Sequence, residues 1–151
     1  TLHTTDAPSS SVRLLDLGVE SFLRTATIEA IIAQRLVRTI CTGCKEAYTP
    51  TEEQLMELSL TPDDVRGRQF YRGKGCDRCH GSGYKGRTAI FEIMTMDDTL
   101  RDMVMNQAST AALRNESIRR GMRTLRESGL LAIYEGQTTI DEVVRETSID
   151  E

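Results

Sequence analysis

The sequence predicts an α+β chain whose middle is organised by a metal rather than by a large apolar core. Three observations point there. Apolar patterns of helical period stand at both ends of the chain. Two β-rich runs, 34–40 and 87–94, lie between them. The four cysteines fall as two C-x-x-C pairs, Cys41/Cys44 and Cys76/Cys79, with residues 45–75 separating the pairs.

The elements follow in order. Residues 2–4 read as a short strand. Asp6 is placed as an N-cap and Pro8 stands in the first helical turn, where its missing N–H costs nothing. The helix so opened carries Val12, Leu14 and Leu15 toward the core, and Gly18 ends it. Phe22, Ala26, Ala30 and Ala33 recur at spacings of three and four, with Ile28, Ile31 and Ile32 widening the stripe, which predicts a second helix over 20–33, buried on more than one side. QRLVRTI at 34–40 alternates, with Leu36 and Ile40 on one face and Arg35 and Val37 on the other, and reads as a strand that delivers the chain to Cys41.

Between the cysteine pairs, TPTEEQLMELSL predicts a helix with a Thr51-x-x-Gln54 capping box. Six glycines then crowd positions 67–86, and that density predicts tight turns at positive φ. RTAIFEIM at 87–94 is rich in β-branched and aromatic residues and predicts a strand. From 97 the pattern is helical throughout. Leu100, Met103 and Val104 form one set, Ala111, Ala112, Leu113 and Ile118 a second ended by Gly121, and Leu125, Leu130, Ile133 and Tyr134 a third ended by Gly136. Thr139-x-x-Glu142 opens a last helix with Val143 and Val144 inward. The expected divisions are 1–40, a cysteine-held element at 41–87, and a strand with a helical subdomain at 88–151.

Composition bounds the function. Apolar residues are 38% of the 151, charged residues 28%, and the formal net charge is −4. An acidic balance argues against general nucleic-acid binding, which needs a basic face. No stretch holds the roughly 18 apolar residues of a membrane span. We expect the cytoplasm, where reducing conditions favour metal over disulfides. The chain opens on Thr1 and on a strand-like segment with nothing before it to pair, so we expect a piece of a longer chain.

Two C-x-x-C pairs supply the four thiolates of a closed tetrahedral zinc site, and Gly43, Gly75 and Gly81 allow the turns beside the ligands. Such a site has no open position for water and is structural. Two disulfides or a thioredoxin-like redox pair are the other readings of the same spacing. His80, directly after Cys79, is either a further ligand or a turn residue. CDRCHGSG also fits C-x-x-C-x-G-x-G, the zinc repeat of J-domain co-chaperones, which keeps a chaperone-type zinc module among the readings. The clustered Arg114, Arg119, Arg120, Arg123 and Arg126 stand among Glu116 and Glu127 and read as a helical surface with local ion pairs. Met94, Met96, Met103, Met105 and Met122 read as core filling.

TLHTTDAPSS, AQRLVRTIC, the cysteine pairs with GCDRCHGSGYKGRTAIFEIM, and the tail RRGMRTLRESGLLAIYEGQTTIDEVVRET follow one another in an order that closely resembles the C-terminal part of the type II secretion and type IV pilus assembly ATPases. The resemblance implies the end of a RecA-like P-loop NTPase core, then the tetracysteine zinc element of the assembly branch, then a small helical subdomain. It implies a homohexameric ATPase using ATP and Mg²⁺ on the cytoplasmic side of a bacterial inner membrane, working with secretion or pilus platform proteins and no nucleic acid. TLHTTDAP resembles that family's histidine box, which puts His3 near the nucleotide phosphates with Thr1, Thr4, Thr5 and Asp6 as neighbours. The Gln34-Arg35 pair resembles the A-Q-R-L segment near the end of the motor core. Because a guanidinium pairs bidentately with phosphate, Arg35 reads either as a phosphate or intersubunit contact or as a solvated or salt-bridged strand residue, and Arg38 as the latter. No G-x-x-x-x-G-K-[ST] occurs in residues 1–151, so the chain as it stands should not hydrolyse ATP. The competing reading is a stand-alone zinc-binding interaction module.

Overall fold

Asp6 starts the first helix where its position in the sequence places it. In the computed structural model, which describes residues 2–20 and 25–148, helix α1 (Ala7–Asp16) has Asp6 as N-cap, its side chain accepting from Ser9 N–H, and a proline in the first turn. Strand β1 (Ala30–Ile40) follows, then β2 (Lys45–Tyr48), helix α2 (Glu52–Glu57), β3 (Phe70–Gly73), a 3₁₀ turn at Asp77–Cys79, and β4 (Tyr84–Thr95). Helices α3 (Asp98–Met105), α4 (Thr110–Arg119), α5 (Leu125–Tyr134) and α6 (Ile140–Thr147) complete the described chain. The architecture is mixed α and β, as the sequence predicts. β1 pairs with β4 and β2 with β3, the latter antiparallel with Lys45 opposite Gly73 and Tyr48 opposite Phe70. Among the described residues no helix is long and apolar enough to cross a membrane.

Three expectations are corrected. Residues 2–4 form no strand. The helix expected over 20–33 is limited to residues 25–27 among those described, and from Ala30 the chain is β1; Phe22 lies outside the described residues. The β-branched Ile31 and Ile32 favour it, because their stiff χ1 suits a pleated strand better than a helix. In α4, Ile118 points out and Ser117 is buried, returning its hydroxyl to Leu113 O at 2.7 Å.

The chain divides into two compact units, and β1 and β4 each run through both. The first comprises Thr1–Gln34 and Phe91–Leu125. Its buried apolar residues are Ala7, Ala33, Met94, Met96, Leu100, Val104, Leu113, Met122 and Leu125. The half of β4 in this unit buries Glu92 and Met94 and leaves Phe91 and Ile93 exposed. The polar residue is therefore inside and two large apolar ones outside, the reverse of what the run alone suggests.

The second unit comprises Arg35–Ile90 and Arg126–Glu151. Its core gathers Leu55 and Leu58 from the α2 region, Phe70 from β3, Ile133 from α5, and Ile140 and Val143 from α6. Phe70 meets Tyr134 edge-on, with ring centroids 5.9 Å apart. The predicted capping box is present: Gln54 N–H donates to Thr51 Oγ1 at 3.2 Å, and Thr51 N–H to Gln54 Oε1 at 3.1 Å. Arg126 reaches from α5 to the Glu57 carbonyl at the end of α2 and to Thr147 on α6, both at 3.2 Å.

Candidate metal centre

Each cysteine comes from a different local situation. Cys41 follows β1 directly and is buried; Cys44 closes the turn before β2, its N–H donating to Cys41 O at 3.2 Å. Cys76 and Cys79 bracket the 3₁₀ turn. Two backbone bonds bring the knuckles together. Lys74 N–H donates to Cys44 O at 3.0 Å, and Cys41 N–H donates to Gly83 O at 2.9 Å. The second knuckle also closes tightly on itself, and that closure requires glycine. A Cβ on Gly75, which sits at φ +98, would lie 2.8 Å from Gly81 O, and one on Gly83 would lie 2.5 Å from Gly73 O.

All four Sγ atoms lie within 4.8 Å of one another. The separations Cys41–Cys76, Cys44–Cys79 and Cys76–Cys79 are each 3.8 Å. A disulfide needs about 2.05 Å, so these distances exclude the disulfide reading for the present arrangement, and all four cysteines are free. A cation bonded to four thiolates at about 2.3 Å sits in a tetrahedron with edges of about 3.8 Å. The donor set thus fits one soft or borderline cation, bound by Cys41, Cys44, Cys76 and Cys79.

The backbone favours anionic sulfur. Gly75 N–H donates to Cys44 Sγ at 3.3 Å; Cys76 N–H and Gly83 N–H both donate to Cys79 Sγ at 3.2 Å. Burial pushes the Cys79 thiol up, but the Cys76 and Gly83 N–H groups, with the thiols of Cys76 and Cys44, outweigh it and bring it down to about 6. Cys44 is pushed up to about 11, first by burial and then by its neighbouring thiols, with only Gly75 N–H opposing. Four thiolates gathered this closely repel one another, and a cation among them offsets that charge.

His80 is exposed, caps the 3₁₀ turn at φ +52, and stands outside the gathered donors. His3 is exposed, in the first unit, three residues before the N-cap of α1. Arg35 is half-buried on β1 at the start of the second unit. Neither belongs to the cysteine cluster. Arg38 is salt-bridged: its guanidinium meets the buried Glu142 carboxylate at 2.7 Å and stacks on Tyr84, 4.2 Å from the ring centroid. In the sequence Glu142 stands out only as part of a helix start, and the Gly83 and Cys76 amides and the buried Glu92 do not stand out at all. The C-x-x-C-x-G-x-G spacing points to Gly83; nothing local marks Glu92 or the distant partner of Glu142.

Fold and site together define a mixed α/β protein built around a tetrathiolate, metal-fitting knuckle. The chain belongs to the type II/IV secretion system protein family, whose model matches residues 1–145. It is 45% identical to the type IV pilus assembly ATPase PilB of Myxococcus xanthus over 151 residues, 99% of this chain and 27% of that protein. It is 42% identical to the protein of the same name from Thermus thermophilus (97% of this chain, 16% of the relative) and 37% identical to the type II secretion system protein E of Pseudomonas aeruginosa (97% and 29%). The chain therefore spans less than a third of the length of these relatives.

Proposed function

We propose that this chain is the zinc-holding C-terminal part of a hexameric ATPase that powers type II protein secretion or type IV pilus assembly. The observation that carries the reading is the family match over 1–145 together with relatives named as pilus assembly ATPases at 42–45% identity. The tetrathiolate site supports the assembly branch. Zinc in this site would tie Cys41, at the end of β1, to Cys79, shortly before β4, and so fix the element between them; its contribution is structural, with no position left for a reacting water. The P-loop and acidic boxes belong to the remainder of the full-length protein, and there His3 approaches the nucleotide phosphates, where an imidazole can donate to a γ-phosphate oxygen or orient a water. Arg35 serves as a phosphate or intersubunit contact. The protein works at the cytoplasmic face of a bacterial inner membrane against platform proteins embedded there.

The test is ATP hydrolysis by the purified full-length protein with Mg²⁺, alongside its metal content and mass in solution. Hydrolysis by a six-subunit assembly carrying one zinc per chain is the expected result. A full-length protein without a G-x-x-x-x-G-K-[ST] segment, and without hydrolysis, would overturn the reading.

A further inference from the structure

Glu92 is the most unusual side chain of the first unit. It is 3% exposed on β4, between Phe91 and Ile93, which are 44% and 49% exposed. A strand that could bury two large apolar residues buries a carboxylate instead, a costly choice that its hydrogen bonds only partly offset. Each oxygen takes one backbone donor. Oε2 accepts from Ala7 N–H at 2.8 Å and Oε1 from Leu125 N–H at 3.3 Å, so one carboxylate bridges the first residues of α1 and α5. Together with Asp6, which takes Ser9 N–H, and Pro8, which has none, Glu92 completes the donors of the first turn of α1. Asp6 is in turn gripped from outside its own helix by Arg114 of α4. Thr4 is tied to Ser10, hydroxyl to hydroxyl, at 2.6 Å. The segment ending in Asp6-Ala7 thus leaves β4 and α4 already anchored, and His3 projects from it into solvent.

We propose that Glu92 and Arg114 are positioning residues for His3: through Ala7 and Asp6 they fix the backbone from which its imidazole reaches a nucleotide phosphate. The inference rests on the reading of His3 given above. It also makes the C-terminal helices part of the nucleotide site's support, since α4 holds Asp6 and the start of α5 shares Glu92.

The test uses the full-length protein, comparing kcat and KM for ATP in Glu92→Gln, Arg114→Gln, Arg114→Lys, His3→Ala and the His3→Ala/Glu92→Gln pair. Glutamine has a single acceptor oxygen and turns an NH₂ toward one of the two N–H groups, so it opens the bridge on one side. Glu92→Gln and Arg114→Gln should each lower kcat about 10- to 100-fold, as expected for misplacing a group near a reacting phosphate, with KM changed by about twofold or less. Arg114→Lys should restore most of the loss. On the His3→Ala background Glu92→Gln should cost nothing further. Losses that multiply in the double variant, or full kcat in Glu92→Gln where His3→Ala is slow, would confine Glu92 to helix capping and overturn the inference alone. Full kcat in His3→Ala would overturn both the inference and the phosphate-proximal role of His3, while leaving the ATPase reading itself standing. Should Glu92→Gln fail to fold, the half-buried Arg114 carries the test through the contrast between glutamine and lysine.

Discussion

Arg38 and Glu142 are 104 residues apart in sequence and joined three times: Arg38 N–H donates to Glu142 Oε2 at 2.7 Å, and its Nε and Nη2 reach Oε1 at 2.8 and 2.7 Å. Arg145 adds a fourth contact at 2.9 Å. Burial pushes the Glu142 carboxyl up, but the Arg38 hydrogen bonds and the charges of Arg38 and Arg145 outweigh it and hold it below the ordinary value of 4.5. The folded state therefore binds fewer protons at this site than the unfolded one. Its stabilisation is present above the ordinary carboxylate pKa and is lost as pH falls through the depressed one. Glu142→Gln should cost roughly 2 kcal/mol at pH 7, under the roughly 3–5 of a fully buried pair because Arg38 is 42% exposed. The same variant should show a flatter loss of stability below pH 4.5 in urea unfolding at stepped pH. An identical acid profile in the variant would place the acid sensitivity elsewhere. Glu92 has the opposite sign, since burial raises its pKa and its contribution weakens as pH rises through the carboxylate range. Sequence reading found Thr139 and Glu142 as a helix start, and Thr139 Oγ1 does accept from Glu142 N–H at 3.3 Å. It could not find Arg38 as the carboxylate's partner, because a long-range ion pair leaves no local period.

Helices α1, α4 and α5 were legible because two signals coincide in them, an apolar period near 3.6 and a glycine stop. Gly18, Gly121 and Gly136 sit at φ +84, +98 and +71, and each follows its helix with the paired backbone bonds of a Schellman end, such as Gln137 N–H to Ala132 O and Gly136 N–H to Ile133 O, both 2.9 Å. α2 ends the same way on Ser59 at φ +57, which composition does not announce. β2 and β3 escaped notice because four residues are too few to show alternation, and their partners are set by distant chain. Residues 30–33 were misread because Ala and Ile at spacings of three and four mimic a helix. One element-level prediction sets propensity against packing. Gly129 lies inside α5, where alanine should gain about 1 kcal/mol. A Cβ there would stand 2.5 Å from Val143 Cγ1 and 3.0 Å from Cγ2 on α6. Valine in a helix has one strongly preferred rotamer and cannot swing aside. Overpacking of about 1–3 kcal/mol should win, leaving Gly129→Ala about 1 kcal/mol less stable in thermal or urea unfolding. Adding Val143→Ala to Gly129→Ala should then cost less than Val143→Ala alone. A stabilised Gly129→Ala protein would show that the α5–α6 contact yields more readily than its geometry implies.

At the scale of the molecule, the cysteine spacing was the most legible feature, because four ligands for one cation fix both residue type and interval. It does not by itself say how much of the chain depends on the cation. Both knuckles lie in the second unit, whose core of Leu55, Leu58, Phe70, Ile133, Ile140 and Val143 is small. Apparent metal-binding free energies at structural zinc sites run to roughly 10–16 kcal/mol, against about 5–15 kcal/mol for the stability of a whole domain. A term of that size, supplied by a bound cation, would decide whether the second unit folds. The first unit has its own buried residues and its own polar anchors at Asp6 and Glu92, and owes the cation nothing directly. Composition supplies a way to read them apart. The chain has no tryptophan and four tyrosines, and Tyr48, Tyr71, Tyr84 and Tyr134 all lie in the second unit. Stripping the metal with a strong chelator, or replacing Cys76 by Ser, should abolish the tyrosine near-ultraviolet circular dichroism while far-ultraviolet signal from α1, α3 and α4 persists. Returning Zn²⁺ should restore the tyrosine band in the unsubstituted chain and not in Cys76→Ser. A tyrosine band unchanged on metal removal would mean that the apolar core alone holds the second unit, leaving the four thiols a local clasp.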